Sequence, residues 1–321
     1  GTIESKSWEA TLDLRLFEGP DFNWRAKLVY DVTDSEITEL TAPPFVYGVS
    51  GQQMGRVFFA RPGEKVGTFF GGLMATSCDH LPVGLSCDGF EINDDGFLVW
   101  TGGSGLSHPH WGTAGPLVGG NTVKWGTPFG GYCVDESTRE QTQYCEVGNT
   151  LPDYNASVST TLNWKGLSLY ALIQRSAGFD VYNQPLQWGF LRQNTGPYDQ
   201  SNVPENEKKP LGYYDAWYGA TGGLGPSSVF VEDGTYTKLR EVSLRYRVGA
   251  DFLGGIPGLN SFSGVALNLT GRNLFTWTDY RGYDPEVGRA GGDTGSAVVA
   301  RVDGFQYPNF RTWTAAIEFI F

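Results

Sequence analysis

Apolar and polar residues alternate along several stretches of this 321-residue chain. In ATLDLRLF (10–17), Leu12, Leu14 and Leu16 fall on one face, with Asp13 and Arg15 on the other. A tight turn, EGPD (18–21), leads into FNWRAKLVYDVT (22–33). There Phe22, Trp24, Ala26, Leu28 and Tyr30 oppose Asn23, Arg25, Lys27 and Asp31. A period of two predicts half-buried strands, and the short turn between them predicts a hairpin. A second hairpin is expected over VSTTLNWKGLSLYALIQ (158–174), turning at Lys165-Gly166. Residues 236–248 and 265–273 continue the alternation. TWTAAIEFIF (312–321) places Trp313, Ala315, Ile317, Phe319 and Phe321 on one face.

The connections change the reading of these strands. The turns at 18–21 and 165–166 are tight, whereas the segments 34–154, 181–235 and 278–310 are long. Long structureless loops are uncommon in a compact soluble domain. Outer-membrane barrels instead combine short periplasmic turns with long extracellular loops. The polar faces, rich in Arg and Asn, suit a wet lumen. No apolar run reaches the roughly 18 residues of a membrane-spanning helix, which leaves a β-barrel open. The expected fold is therefore all-β: a transmembrane antiparallel β-barrel with its tight turns periplasmic and its long segments outside. Seven strands are clear, and roughly two to four more are expected within the long segments. An odd count points to residues 1–321 as the C-terminal part of a larger barrel.

Composition agrees. Gly (45 residues) and aromatics (14%) are abundant, and charged residues are 18%, below the usual quarter or so. The net charge of -12 excludes nucleic acid as a partner, because phosphates call for Lys and Arg. GTIESKSWEATLDLRLF at the start has no basic, apolar signal-peptide pattern. Four cysteines occur. The neighbours Cys78–Cys87 and Cys133–Cys145 would each close a short loop, which favours two disulfides and an oxidising compartment. The alternative is four reduced thiols.

Several stretches, in order, resemble one family: the SusC/RagA-type TonB-dependent outer-membrane transporters. They are VGTFFGGLMAT (66–76), FEINDDGFLVW (90–100), VGNTLPDYNASVSTTLNWKGLSL (147–169), VEDGTYTKLREVSLRYRV (231–248), GRNLFTWTDYRGYDPEV (271–287) and YPNFRTWTAAIEFIF (307–321). The resemblance implies a 22-stranded type of barrel, with a plug domain, signal peptide and TonB box that this sequence does not contain. It implies nutrient import, of an oligosaccharide or peptide. Its expected partners are a SusD-like surface lipoprotein, the TonB complex and outer-membrane lipid. The alternative function is a non-transporting barrel that anchors its loops for adhesion or assembly. Terminal Phe321 resembles the barrel-assembly signal. The cysteines and the glycine-rich TGGSGLSHPHWGTAGPLVGGN (101–121) depart from the family.

Candidate chemistry is sparse. His80, His108 and His110 have no nucleophile-elbow context, so no enzyme and no catalytic residue is expected. Asp88, Glu91, Asn93, Asp94 and Asp95 crowd oxygen ligands ahead of Gly96. Of these, Asp88, Asn93 and Asp95 are the calcium candidates, against a solvated turn; no other cofactor or metal is expected. Trp188, Arg192, Tyr213, Tyr214, Trp217 and Tyr218 form an aromatic cluster suited to substrate contact. The competing reading is that these rings pack the loop against itself. Arg240, Glu241, Arg245, Arg247 and Arg272 are expected to face the lumen. Phe275, Trp277 and Tyr280 are expected at the outer headgroups. Tyr283, Asp284 and Glu286 are expected to open a solvated loop.

Overall fold

A computed structural model describes residues 1–47, 58–107, 109–135, 138–194, 196–219, 228–258, 261–287 and 301–321. Its frame is one seven-stranded sheet with every pair antiparallel and every neighbour consecutive. The wall strands are β1 (Thr2–Glu18), β2 (Phe22–Glu39), β3 (Tyr154–Trp164) and β4 (Leu167–Ala177). They continue as β5 (Tyr236–Gly249), β6 (Gly264–Thr278) and β7 (Thr312–Ile320). All seven expected strands are present. β1 and β2 run beyond the expected 10–17 and 22–33. Their outer ends are polar on both faces and joined across the ladder by Ser5–Ser35 at 2.6 Å and Ser7–Thr33 at 3.0 Å.

Register turns the alternation into two faces. Leu12, Leu28, Val158, Ile173, Leu239 and Phe275 lie side by side across six strands. Two steps along the same face, Leu162, Leu169, Leu244, Leu269 and Ala315 form another apolar row. Most of these positions are exposed, with Leu267, Trp313, Ile317 and Phe319 beside them, while Leu162, Leu169 and Leu239 are half-buried. A water-soluble protein rarely leaves so large a contiguous apolar surface uncovered. The opposite face carries the charges, with Arg272 on Glu241 at 2.9 Å and Arg245 on Glu318 at 2.7 Å. A register shift after Leu239 bends β5; it leaves Leu239 and Val242 on the apolar face and Lys238 and Glu241 on the polar one. The hairpin at Lys165-Gly166 needs its glycine: a Cβ at Gly166 would stand 2.4 Å from the Arg247 carbonyl oxygen.

The additional wall strands expected within the long segments do not occur among the described residues. Short strands there form separate sheets instead. Tyr144–Asn149, Thr68–Gly72, Phe58–Ala60 and Phe45–Tyr47 make a four-stranded sheet. Val231–Asp233, Asp180–Asn183 and Val302–Asp303 make a three-stranded one, in which Asp180–Asn183 pairs in parallel with Val302–Asp303. Two helices, α1 (Gln184–Leu191) and α2 (Leu211–Gly219), complete the long segments. Asn183 caps α1 through the Leu186 amide, with Pro185 in the first turn. All three long connections meet in one core. Phe58, Phe69, Met74, Phe97 and Val99 come from the first, Tyr182, Phe190, Tyr213, Trp217 and Phe230 from the second, and Val302 from the third. This cap sits on the long-connection end of the wall.

Candidate functional site

Inside the cap, the FEINDDGFLVW stretch forms a small hairpin, Phe90–Ile92 with Leu98–Trp100. Its turn is closed by Asn93, whose Oδ1 accepts from the Asp95 amide at 3.1 Å and the Phe97 amide at 2.9 Å. That presents Asp94 and Asp95 to Lys209, which donates to them at 2.7 and 2.5 Å. The Tyr213 hydroxyl donates to the same Asp95 carboxylate and accepts from Asn93 Nδ2 at 2.8 Å. Burial pushes the Tyr213 phenol well above its usual range, and the Asp95 carboxylate adds to this. Burial works against the Lys209 ammonium, but its bonds to Asp94 and Asp95 hold its pKa above the ordinary value. This lysine occupies the place a cation would take beside two carboxylates. The calcium candidates are otherwise engaged: the Asp88 carboxylate accepts from Ser86 at 2.8 Å, and Asn93 is committed to its turn. Among the described residues no three His, Cys, Asp or Glu side chains gather as a metal site would require.

A cleft of ≈ 540 Å³ opens beside this network, lined by Trp111, Trp125, Gln200, Lys208, Lys209 and Tyr213 among others. A second, of ≈ 620 Å³, is lined by Val118, Val123, Lys124, Phe129 and Ala216. Trp111 and Tyr213 line both. Trp111 stands edge-on to Trp125 at 5.0 Å and to Tyr213 at 5.9 Å. Cys78 is joined to Cys87 and Cys133 to Cys145, so both short-loop pairs close within the cap.

The structure separates the predicted contact residues. Tyr213, Tyr214 and Trp217 are buried in the cap core, where Phe190 stacks on Trp217 at 5.1 Å. Tyr213 and Tyr214 also reach the first cleft, while Trp188, Arg192 and Trp217 line neither. Arg192 is exposed and lies over the Trp188 ring at 5.7 Å. The side chain of Tyr218 falls outside the described residues, as does His108. Trp111 and Trp125 were not singled out from sequence. They sit in the glycine-rich departure and just beyond it, and the concentration of Trp between turn-forming glycines was the available signal.

A second constellation joins the last long connection to the wall. Lys238 is 1% exposed and donates to Asp284 at 2.6 Å and Glu286 at 2.9 Å. Arg240 grips both oxygens of Glu286, and Asn309 donates to it at 3.0 Å. Burial pushes the Glu286 carboxyl up, but the Arg240 and Lys238 bonds outweigh it and hold the group down at about 2. Asp284 is 6% exposed, so the expected solvated loop is corrected. Its acidic residues fold back onto the polar face of β5, because buried carboxylates must be paired, and Tyr283 alone of the three is open, at 86%. Phe275 and Trp277 are exposed as expected on the apolar face. Tyr280 is corrected too: it is 5% exposed and donates to Asp303 at 2.7 Å. Burial raises the pKa of both the Tyr280 phenol and the Asp303 carboxyl.

No protein-family model matches the chain. TonB-dependent receptor P26 of Formosa agariphila is 25% identical over 331 aligned residues, which cover 100% of this chain and 29% of that receptor. TonB-dependent receptor P3 of the same organism is 25% identical over 327, again covering 100% and 29%. The chain thus spans less than a third of the curated relatives it matches. The RagAB peptide importer in its open-open state shares the fold, with a TM-score of 0.59, 17% identity, and coverage of 99% of this chain and 29% of that one. A further RagAB structure aligns with a TM-score of 0.57 at 18% identity, covering 99% and 29%. Along its whole length the chain is thus similar to TonB-dependent receptors, and its wall and cap share the fold of the corresponding part of RagAB.

Proposed function

We propose that residues 1–321 form the C-terminal part of the barrel of a TonB-dependent importer in a bacterial outer membrane. The exposed apolar rows of β1–β7 face lipid, the charged face lines the lumen, and the cap stands on the cell surface. The segments of about 34–154, 181–235 and 278–310 are thus extracellular, and the plug lies elsewhere in the protein. The cargo is a nutrient of oligosaccharide or peptide type. A SusD-like lipoprotein covers the cap, and the TonB complex supplies the energy that displaces the plug. No bond is made or broken in the cargo. The observation that carries this reading is similarity to TonB-dependent receptors over the whole chain. Support for the geometry comes from the seven-stranded sheet, apolar on one face and charged on the other.

The test is uptake. Cells lacking the receptor should lose accumulation of one labelled oligosaccharide or peptide fraction, and cells lacking TonB should lose the same fraction. Uptake that survives loss of TonB would mean a passive pore. Unchanged uptake of every fraction, with lost surface adhesion, would mean an anchor.

A further inference from the structure

Two adjoining clefts in the cap share Trp111 and Tyr213. Each falls in the size range of small-ligand sites, roughly 300–1,000 Å³. We propose that they bind an uncharged oligosaccharide, with Trp111 as the platform on which a sugar ring stacks; this rests on the importer reading above.

The first support is the ring itself. Trp111 is half-buried and braced edge-on by Trp125 and Tyr213. A platform fixed before the ligand arrives avoids the cost of ordering it on binding. Gly126 adopts φ +66 beneath it, and a Cβ there would meet the indole at 2.8 Å. The backbone is therefore shaped to this tryptophan. Aromatic faces suit the C–H faces of sugar rings, which carry no charge.

Charge is the second support. Both lysines at the first cleft are already paired, Lys209 with Asp94 and Asp95, and Lys208 with Glu205 at 2.8 Å. An anionic ligand at the first cleft would have to displace a carboxylate from either lysine, and Lys124 at the second is exposed, where solvent screens its charge. The chain's charge of -12 also repels a polyanion at a distance.

The third support separates sugar from peptide. Gln200 is the amide best placed to read a ligand backbone. It is spent on Lys209, donating to its carbonyl and accepting from its amide, both at 2.6 Å. Asn93 is likewise committed, to two backbone amides and Tyr213. The rim keeps Ser107, Asn206 and Glu207, whose hydroxyl, amide and carboxylate match the mixed donors and acceptors of sugar hydroxyls.

The experiment is calorimetry on the full-length receptor in detergent. Its probes are neutral gluco-, manno- and xylo-hexasaccharides, hexauronates of the same length, and a mixed hexapeptide pool. A neutral hexasaccharide should bind, with affinity reduced about tenfold or more by Trp111→Ala and largely kept by Trp111→Tyr. If Trp111→Ala does not fold, the neutral ligand should still slow hydrogen exchange at the Trp111–Thr113 amides of the unaltered receptor. Binding confined to uronates or peptides overturns the proposal. So does a complete lack of neutral binders, wild-type affinity in Trp111→Ala, or unprotected Trp111–Thr113 amides. Uptake separates the two readings. TonB-independent uptake of a bound glycan sinks the importer and leaves the site. TonB-dependent uptake untouched by Trp111→Ala does the reverse.

Discussion

Replacing Lys238 with Met removes the cation that holds the last connection against the wall. The side chain is nearly the same length, so the packing of β5 is kept while the charge is lost. Glu286 retains Arg240. Asp284 loses the ammonium at 2.6 Å, its one ion-pair partner among the described residues, and keeps the amides of Glu286 at 2.9 Å and Asn309 at 3.3 Å. Breaking a buried pair on one side costs about 3–5 kcal/mol. The surviving amide bonds and the second cation on Glu286 place this case at the lower end, about 3 kcal/mol. At about 1.4 kcal/mol per tenfold, local opening around Asp284 becomes on the order of a hundredfold more frequent. The assay is hydrogen exchange at the Glu286 amide in the purified receptor, since that amide donates to Asp284. Lys238→Arg should stay near wild type, and Lys238→Met combined with Asp284→Asn should recover part of the protection. Exchange at Glu286 within about threefold of wild type in Lys238→Met would refute the idea that this ion pair is the tether.

The remaining predictions concern pH, lipid contact and the disulfides. Glu286, lowered from 4.5 to about 2, contributes a tether that is complete above about pH 4.5 and lost as pH falls through about 2. The span corresponds to about 3 kcal/mol. Pepsin should therefore cut at residues 279–287 increasingly below pH 4, and Glu286→Gln should cut equally across that range. Leu269→Arg, on the exposed apolar row, should cost about 2–4 kcal/mol in vesicles. Thr270→Arg, on the opposite face, should cost under about 1 kcal/mol; equal losses in urea titrations would overturn the assignment of faces. Replacing Cys78 and Cys87 with Ser opens a loop of sequence separation 9. That should loosen the cap by about 3 kcal/mol, seen as faster exchange at Phe90–Trp100 with the wall strands unchanged.

The wall was legible because lipid and lumen impose a period of two, and every wall strand carries it somewhere. The outer ends of β1 and β2 were missed for a matching reason. Past the apolar rows, Ile3 to Ser7 and Asp34 to Glu39 lose the pattern although the ladder continues through Ser5–Ser35 and Ser7–Thr33. The cap was far less legible. Its core is assembled from residues distant in sequence, such as Phe58, Tyr213 and Val302, and no local period encodes that. Tyr213, Tyr214 and Trp217 read as substrate contacts or as loop packing alike, because α2 is short and its aromatic run carries no clear period to say which side is buried. Asp284 and Glu286 read as solvated because the lysine that neutralises them lies on β5, 46 residues earlier for Asp284.

The composite core of the cap has a consequence for how such receptors diversify. Three connections contribute side chains to one packed interior, so none of them is an independent module. Grafting a single connection from a relative onto this wall would leave mismatched volumes around Phe190 and Trp217, at the cost that close-packed interiors exact. Transplanting all three together would preserve the interior and carry the ligand preference with it. Natural recombination should therefore break these chains near the wall strands rather than within the cap, and engineered chimeras should follow the same joints.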